Sequence, residues 1–294
     1  MRVLLLCMIG LLTACQSHQV LPPPAPIAPL GRDHADLGVI RELASGRTLS
    51  PQQLLERLAT APRVLVGEQH DNPDHHVLQL WLLRELAARR TQGSLLMEML
   101  NPDQQTRVDA AQAASRAAQP TADLIDTLAW QTGWSWGLYG PLVTYALRQP
   151  YPLLAANLDR AQVRQIYTQR PVLEGRASTT AQVQDSLLDD IRTSHCGLLP
   201  ESQMPAMLAV QQQRDRRMAE RLLAAPGPAL LLAGAFHVRK DLGVPLHLAD
   251  LGQPDGNLVL ILAEVGKTVS AQSADFVWYT AAQPEQDYCA TLRR

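Results

Sequence analysis

The chain has 294 residues, 46% of them hydrophobic and 18% charged, with a formal net charge of −2. That balance supplies enough apolar surface for a sizeable core and excludes an intrinsically disordered chain. It offers no basic stripe, which argues against a nucleic-acid partner, and no internal repeat points to a solenoid.

The first residues, "MRVLLLCMIGLLTAC", carry one Arg, an apolar stretch and then small residues. They read as a secretory signal, too short for a stable membrane span. The end of that stretch, "LTAC", resembles a bacterial lipobox. The resemblance implies removal of residues 1–14 and lipidation of Cys15. Gln16 follows where inner-membrane retention often uses Asp, so the implied location is the outer membrane, anchored by lipid and facing the periplasm. Residues 15–33 contain three consecutive prolines and read as an extended tether. The folded body is expected over 34–294.

Within that body, apolar runs at 63–67, 94–100, 151–157, 229–237 and 258–265 suit strands buried on both faces of a parallel sheet. Segments of helical spacing separate them. Pro73 fits the first position of a helix capped by Asn72 or Asp71, with Leu78, Trp81, Leu82 and Leu86 on its apolar side. Further helical patterns start near residues 103, 121, 161, 180 and 204. The expected class is α/β, with a mostly parallel central sheet flanked by helices. The surplus helical sequence at about 103–149 is expected to form a helical subdomain. Cys196 and Cys289 remain once Cys7 is cleaved off and Cys15 is lipidated. In an oxidising compartment they are expected to form a disulfide.

Two strand-to-helix junctions carry G-x-x-H: Gly67 to His70 in "GEQHDNPDHH", and Gly234 to His237 in "GAFHVRKDLGVP". In a parallel sheet both histidines fall on the edge where ligand crevices form. The glycines are read as allowing a sharp turn there. Glu98 lies in an apolar run, where an unpaired carboxylate is costly. Glu68, His70, Glu98 and His237 are therefore expected to converge on one pocket. His70, His237 and Glu98 are the types a divalent metal takes, and such a site would make a metal-dependent hydrolase with a carboxylate base raised toward neutrality by burial. His75 and His76 are expected at the crevice mouth, kept neutral by the helix dipole.

Aromatic residues are few but cluster from Trp130 to Tyr151, around "WQTGWSWGLYGPL". The cluster reads either as a lining for a flat apolar ligand, as a docking patch for a partner protein through Trp134 and Trp136, or as a local core. Tyr139 has glycines nearby at Gly137 and Gly140, and a phenolate can ligate ferric haem.

Taken in order behind the lipobox, "VGEQHDNPDHH", "WGLYGPL", "HCGLLP", "QQQRDRRMAERL" and "GAFHVRKDLGVP" resemble the ChaN-type haem-binding lipoproteins. These belong to a wider group similar to Tiki/TraB proteins and erythromycin esterases. The resemblance spans about residues 63–289. It implies a haem-binding protein of haem and iron uptake, working beside an outer-membrane haem receptor, with haem shared face to face between two subunits of a homodimer. It implies a tyrosine as iron ligand, matched to Tyr139 with Tyr145 and Tyr151 as neighbours, and a histidine at the propionates, matched to His75 or His76 ahead of His195. Arg239 is the expected electrostatic partner of a propionate or oxyanion, and Trp134 and Trp136 are expected against the haem.

Overall fold

The computed structural model describes residues 20–119, 123–287 and 289–292. The signal sequence and Cys15 lie outside them. A short hairpin opens the body, β1 (Ile40–Glu42) and β2 (Arg47–Leu49), followed by helix α1 (Pro51–Thr60) and strand β3 (Arg63–Glu68). Helix α2 (Pro73–Ala87), β4 (Ser94–Met97), helices α3 (Gln105–Arg116), α4 (Leu124–Thr127) and α5 (Trp136–Leu147), and β5 (Leu153–Ala155) come next. Helices α6 (Arg160–Gln169), α7 (Ala181–Ser194) and α8 (Met204–Ala224) lead to β6 (Ala229–Gly234). The chain ends through α9 (Ala235–Val238), α10 (Val244–Asp250), β7 (Asn257–Glu264), β8 (Phe276–Thr280) and α11 (Cys289–Leu292).

The eight strands form one sheet in the order β2-β1-β8-β7-β3-β6-β4-β5. From β8 to β5 every pairing is parallel, and only β1 pairs antiparallel with β8 and β2. All five expected strands are present. The β1–β2 hairpin and β8 add an edge the apolar runs did not announce, because β1 and β2 are only three residues long.

Alternation along the strands divides the core into two layers. Val64, Val66, Leu95, Met97, Leu230 and Leu232 pack with Leu54, Leu82, Val108 and Leu142 of α1, α2, α3 and α5. Leu65, Leu96, Leu231, Val259 and Ile261 face the other way, onto Met218 and Leu222 of α8 and Val244 and Leu248 of α10. The described residues of 103–149 are largely helical as expected, and they pack over the sheet. Tyr139, Leu142, Val143 and Ala146 share one core with the sheet, because the apolar side of a short helix needs a partner surface and the sheet face provides it.

From Val20 the Pro-rich stretch lies against the body. Asp74 Oδ1 accepts the N–H groups of Ile27 at 2.6 Å and Ala28 at 3.1 Å. Trp81 Nε1 donates to the Leu21 carbonyl at 3.1 Å, and Leu30 bridges to Ala282. An extended proline-rich segment has no internal hydrogen bonds, so its free backbone groups bind wherever donors and acceptors wait. Cys196 and Cys289 are bonded to each other with Cα atoms 5.9 Å apart. No helix among the described residues is long and apolar enough to cross a membrane.

The topology also creates a crevice. From β3 the chain moves through α2 toward β4 and β5; from β6 it moves through α9 and α10 to β7, on the opposite side. Adjacent parallel strands whose connections leave in opposite directions open a gap at their carboxyl ends. His70 follows β3 and His237 follows β6, so both stand at that gap.

Candidate functional site

Glu68 closes β3 and is buried. Its Oε1 accepts a hydrogen bond from the Tyr139 hydroxyl at 2.7 Å and faces His70 Nδ1 at 2.7 Å. With Nδ1–H donating to the carboxylate, the neutral His70 ring keeps its Nε2 lone pair free, and Nε2 has no hydrogen-bond partner among the described residues. The His70 side chain is 44% exposed. Burial works against its protonation, but the hydrogen bond and charge of Glu68, together with Glu98, raise its pKa above the ordinary value.

The glycines of the two G-x-x-H junctions serve close approach and not the turn expected of them. Neither Gly67 nor Gly234 has a positive φ. A methyl group on Gly234 would lie 2.9 Å from His70 Cε1 and 3.0 Å from Nε2, so the imidazole lies against the bare backbone of β6. A methyl on Gly67 would sit 2.5 Å from Val238 Cγ2 and 2.9 Å from the Ala235 backbone.

Behind His70 runs a second buried chain. Glu98 Oε2 accepts the Gly234 N–H at 2.8 Å, and its Oε1 lies 3.3 Å from His237 Nε2. His237 Nδ1 in turn meets Asp215 Oδ1 of α8 at 2.5 Å. Burial opposes charge on His237, yet the two carboxylates push its pKa up to about 10. Burial likewise opposes charge on Glu98, but His237, then His70 and Arg214, hold it below the usual carboxylate range. The expected base, a carboxylate raised toward neutrality by burial, is therefore absent at Glu98: a paired charge outweighs desolvation.

Glu68, His70, Glu98 and His237 thus do converge, but through pairs with one another. Among the described residues no group of three or more His, Cys, Asp or Glu side chains is arranged to hold a metal ion. A metal takes neutral imidazole lone pairs, and His237 has both ring nitrogens on carboxylates.

His75 and His76 do not face the crevice mouth. Both are buried. His75 Nδ1 accepts the Gln69 N–H at 2.8 Å and its Nε2 meets Thr280 Oγ1 at 2.9 Å. Burial pushes its pKa down to about 3. His76 Nε2 donates to the His70 carbonyl at 3.0 Å. Both rings satisfy backbone groups of the β3–α2 connection. Arg239 is also committed elsewhere, bonded twice to Asp241 at 2.7 and 3.0 Å.

Tyr139 is 1% exposed. Burial, then the charge of Glu68, raise its pKa. The space that glycines leave nearby is taken by the Trp136 indole, which a methyl on Gly140 would meet at 2.8 Å. Tyr151 is buried too, and Tyr145 lies under Arg84, whose guanidinium carbon is 5.2 Å from the ring centre. Most of the aromatic cluster is therefore local core. Trp134 differs: it packs edge-on against His70 at 4.8 Å and lines an open cleft of about 470 Å³. Asn101, Asn157, Arg160, Arg164 and Arg214 also line that cleft.

Sequence reasoning gave no role to Asp215, Arg214, Arg164 or Asn157, and offered Arg160 only as an ion-pair partner of Glu98, which the structure pairs with His237. Asp215 and Arg214 lie in "QQQRDRRMAERL", where a helical charge pattern looks like a solvated face. Only the packing of α8 against the sheet turns Asp215 inward.

Residues 54–248 match the family described as "Haem-binding uptake, Tiki superfamily, ChaN". A solved structure of ChaN from Campylobacter jejuni with cofacially bound haem is 28% identical, with a TM-score of 0.75 over 82% of this chain and 95% of that one. A mutant of the erythromycin esterase EreC in its open conformation is 15% identical, with a TM-score of 0.46 over 82% of this chain and 83% of that one. No curated protein matches the chain.

Proposed function

Because the chain belongs to the ChaN family of haem-binding uptake proteins in the Tiki superfamily, we propose that it takes ferric haem at the crevice between β3 and β6. The observation that carries the site is His70. Its half-exposed imidazole has Nδ1 fixed by Glu68, its Nε2 unengaged, and Trp134 packed against it. A carboxylate behind an imidazole fixes the tautomer and makes the outer nitrogen a better ligand. Haem, when bound, supplies a ferric centre that accepts an imidazole or a phenolate as axial ligand. Among the described residues at the crevice, His70 and Tyr139 are the imidazole and phenol bonded to Glu68 that could serve. His70 is the one in reach of solvent. Tyr139 can serve only after its proton leaves and Glu68 gives way.

The cellular reading rests on the amino-terminal residues. We propose that Cys15 carries the lipid, that the body faces the periplasm from the outer membrane, and that haem is exchanged there with an outer-membrane receptor. The cofacial haem of the Campylobacter jejuni ChaN structure supports a haem-linked homodimer for this chain as well.

Ferric haem titrated into the chain, followed by absorbance and size-exclusion chromatography, tests the reading. The expected result is a saturable Soret change with a shift to dimer. His70→Ala is expected to change the ligand spectrum and Tyr139→Phe to leave it. The reverse pattern would move the iron ligand to Tyr139. No saturable change in the unaltered chain would refute haem binding.

A further inference from the structure

We propose that Arg160, Arg164 and Arg214 form the carboxylate seat of the ligand cleft, holding the propionates of haem while Trp134 supports its apolar plane. The inference rests on the haem reading and specifies where its charged edge lies.

The arginines come from two helices. Arg160 and Arg164 stand one turn apart on α6, with Val163 beside them in the same cleft, and Arg214 enters from α8. Two like charges at i and i+4 repel. Asp159, the nearest acid in sequence, is occupied as the α6 cap, accepting the Gln162 N–H at 2.8 Å. Among the described residues none of the three guanidinium groups has a carboxylate within ion-pair distance. Arg214 Nε is buried without a hydrogen-bond partner. Glu98 feels the charge of Arg214, but it is taken up by the Gly234 N–H and His237.

Several other arginines among the described residues are paired with carboxylates. Arg41 meets Asp36, Arg89 meets Glu85, Arg192 meets Asp189 and Glu201, and Arg239 meets Asp241. Three unpaired guanidinium groups converging on one cleft is an arrangement that an anion completes. Arg is suited to carboxylates because its planar fork makes paired charge-assisted hydrogen bonds.

The remaining walls narrow the ligand class. Trp134 offers a flat aromatic surface, and Asn101, Asn157 and Gln131 offer neutral polar groups. About 470 Å³ falls within the range of small-molecule sites. An aromatic wall facing a cationic wall fits a planar, apolar molecule with carboxylates on one edge. The same Trp134 touches His70, so one indole stands between the arginine cleft and the imidazole proposed for iron.

The full chain and its Arg160→Gln/Arg164→Gln variant would each be titrated with ferric haem and with ferric haem dimethyl ester, whose two carboxylates are blocked. Both arginines are exposed, so the variant is expected to fold. The unaltered chain should bind haem at least about ten-fold more tightly than the ester, a modest demand on two charge-assisted contacts. The variant should bind haem as weakly as the ester, with its ester affinity unchanged. Arg214→Gln should move haem affinity the same way. If the unaltered chain binds both ligands equally, or the variant keeps the full preference for haem, the arginines are not the propionate seat and haem binding stands without them. If the unaltered chain binds neither ligand, the haem reading fails and this assignment fails with it.

Discussion

Tyr139 of α5 donates its phenolic hydrogen to Glu68 at the end of β3 across 2.7 Å, although 71 positions separate them in the chain. The same carboxylate oxygen holds His70. One buried acid thus sets the state of both groups that could meet iron.

Replacing that acid tests the arrangement. Glu68→Gln removes the charge that raises the His70 pKa and leaves a single, neutral carbonyl oxygen for Tyr139 and His70 to share. The His70 titration, followed by NMR, should fall toward or below the ordinary imidazole value, since only burial and weaker charges remain. Thermal or urea unfolding should show a loss of about 1–3 kcal/mol for the disturbed buried hydrogen bonds. An unmoved His70 titration would show that Glu68 does not hold the ring.

Two buried histidines give stability a pH dependence of opposite sign. His237 has its folded pKa raised to about 10 from an ordinary 6.5. Its contribution is complete below pH 6.5 and is lost as pH rises through about 10. His75 has its folded pKa lowered to about 3 from 6.5. Its contribution is complete above pH 6.5 and is lost as pH falls toward about 3. Urea midpoints measured from pH 3 to 10 should fall on both limbs. His237→Gln should flatten the alkaline limb and His75→Gln the acid limb, whatever their effect at neutrality. If either variant leaves its own limb as steep as before, the assignment is wrong.

Gly234→Ala should act on the ligand and Gly67→Ala on the fold. The first methyl would push on the His70 ring, 2.9 Å from Cε1, and should weaken haem binding several-fold. The second would press on Val238 and the Ala235 backbone and should cost about 1–3 kcal/mol of stability. Equal effects of the two on haem affinity would argue against this division.

The docked amino-terminal segment can be released. Asp74→Ala removes the acceptor of the Ile27 and Ala28 N–H groups. Limited proteolysis should then cut between residues 20 and 30 faster than in the unaltered chain, with haem affinity unchanged. Equal cleavage rates would mean that Asp74 is not what holds the segment.

The disulfide closes a long loop, its cysteines 93 positions apart in the chain. In the chain-entropy model such a bridge contributes about 4–5 kcal/mol. Cys196→Ser with Cys289→Ser should lower the urea midpoint accordingly and leave the haem spectrum alone. A midpoint that does not move would place the stabilising contacts elsewhere.

The sequence by itself determined the α/β class, the five buried strands and the meeting of Glu68, His70, Glu98 and His237. Continuous apolar runs can only be buried on both faces, and residues just past parallel strands must share an edge. It did not determine which way each side chain points or what it meets there. His75 and His76 looked available because they begin a helix, yet the fold turns both inward onto backbone groups of the β3–α2 connection. Arg239 looked free beside His237 and is held by Asp241 two residues on. Asp215 and Arg214 are consecutive residues of one helix, and the packing of α8 buries the first against His237 and turns the second to line the cleft. Tertiary structure decided those roles, because charge pairing and burial depend on neighbours that are distant in the chain.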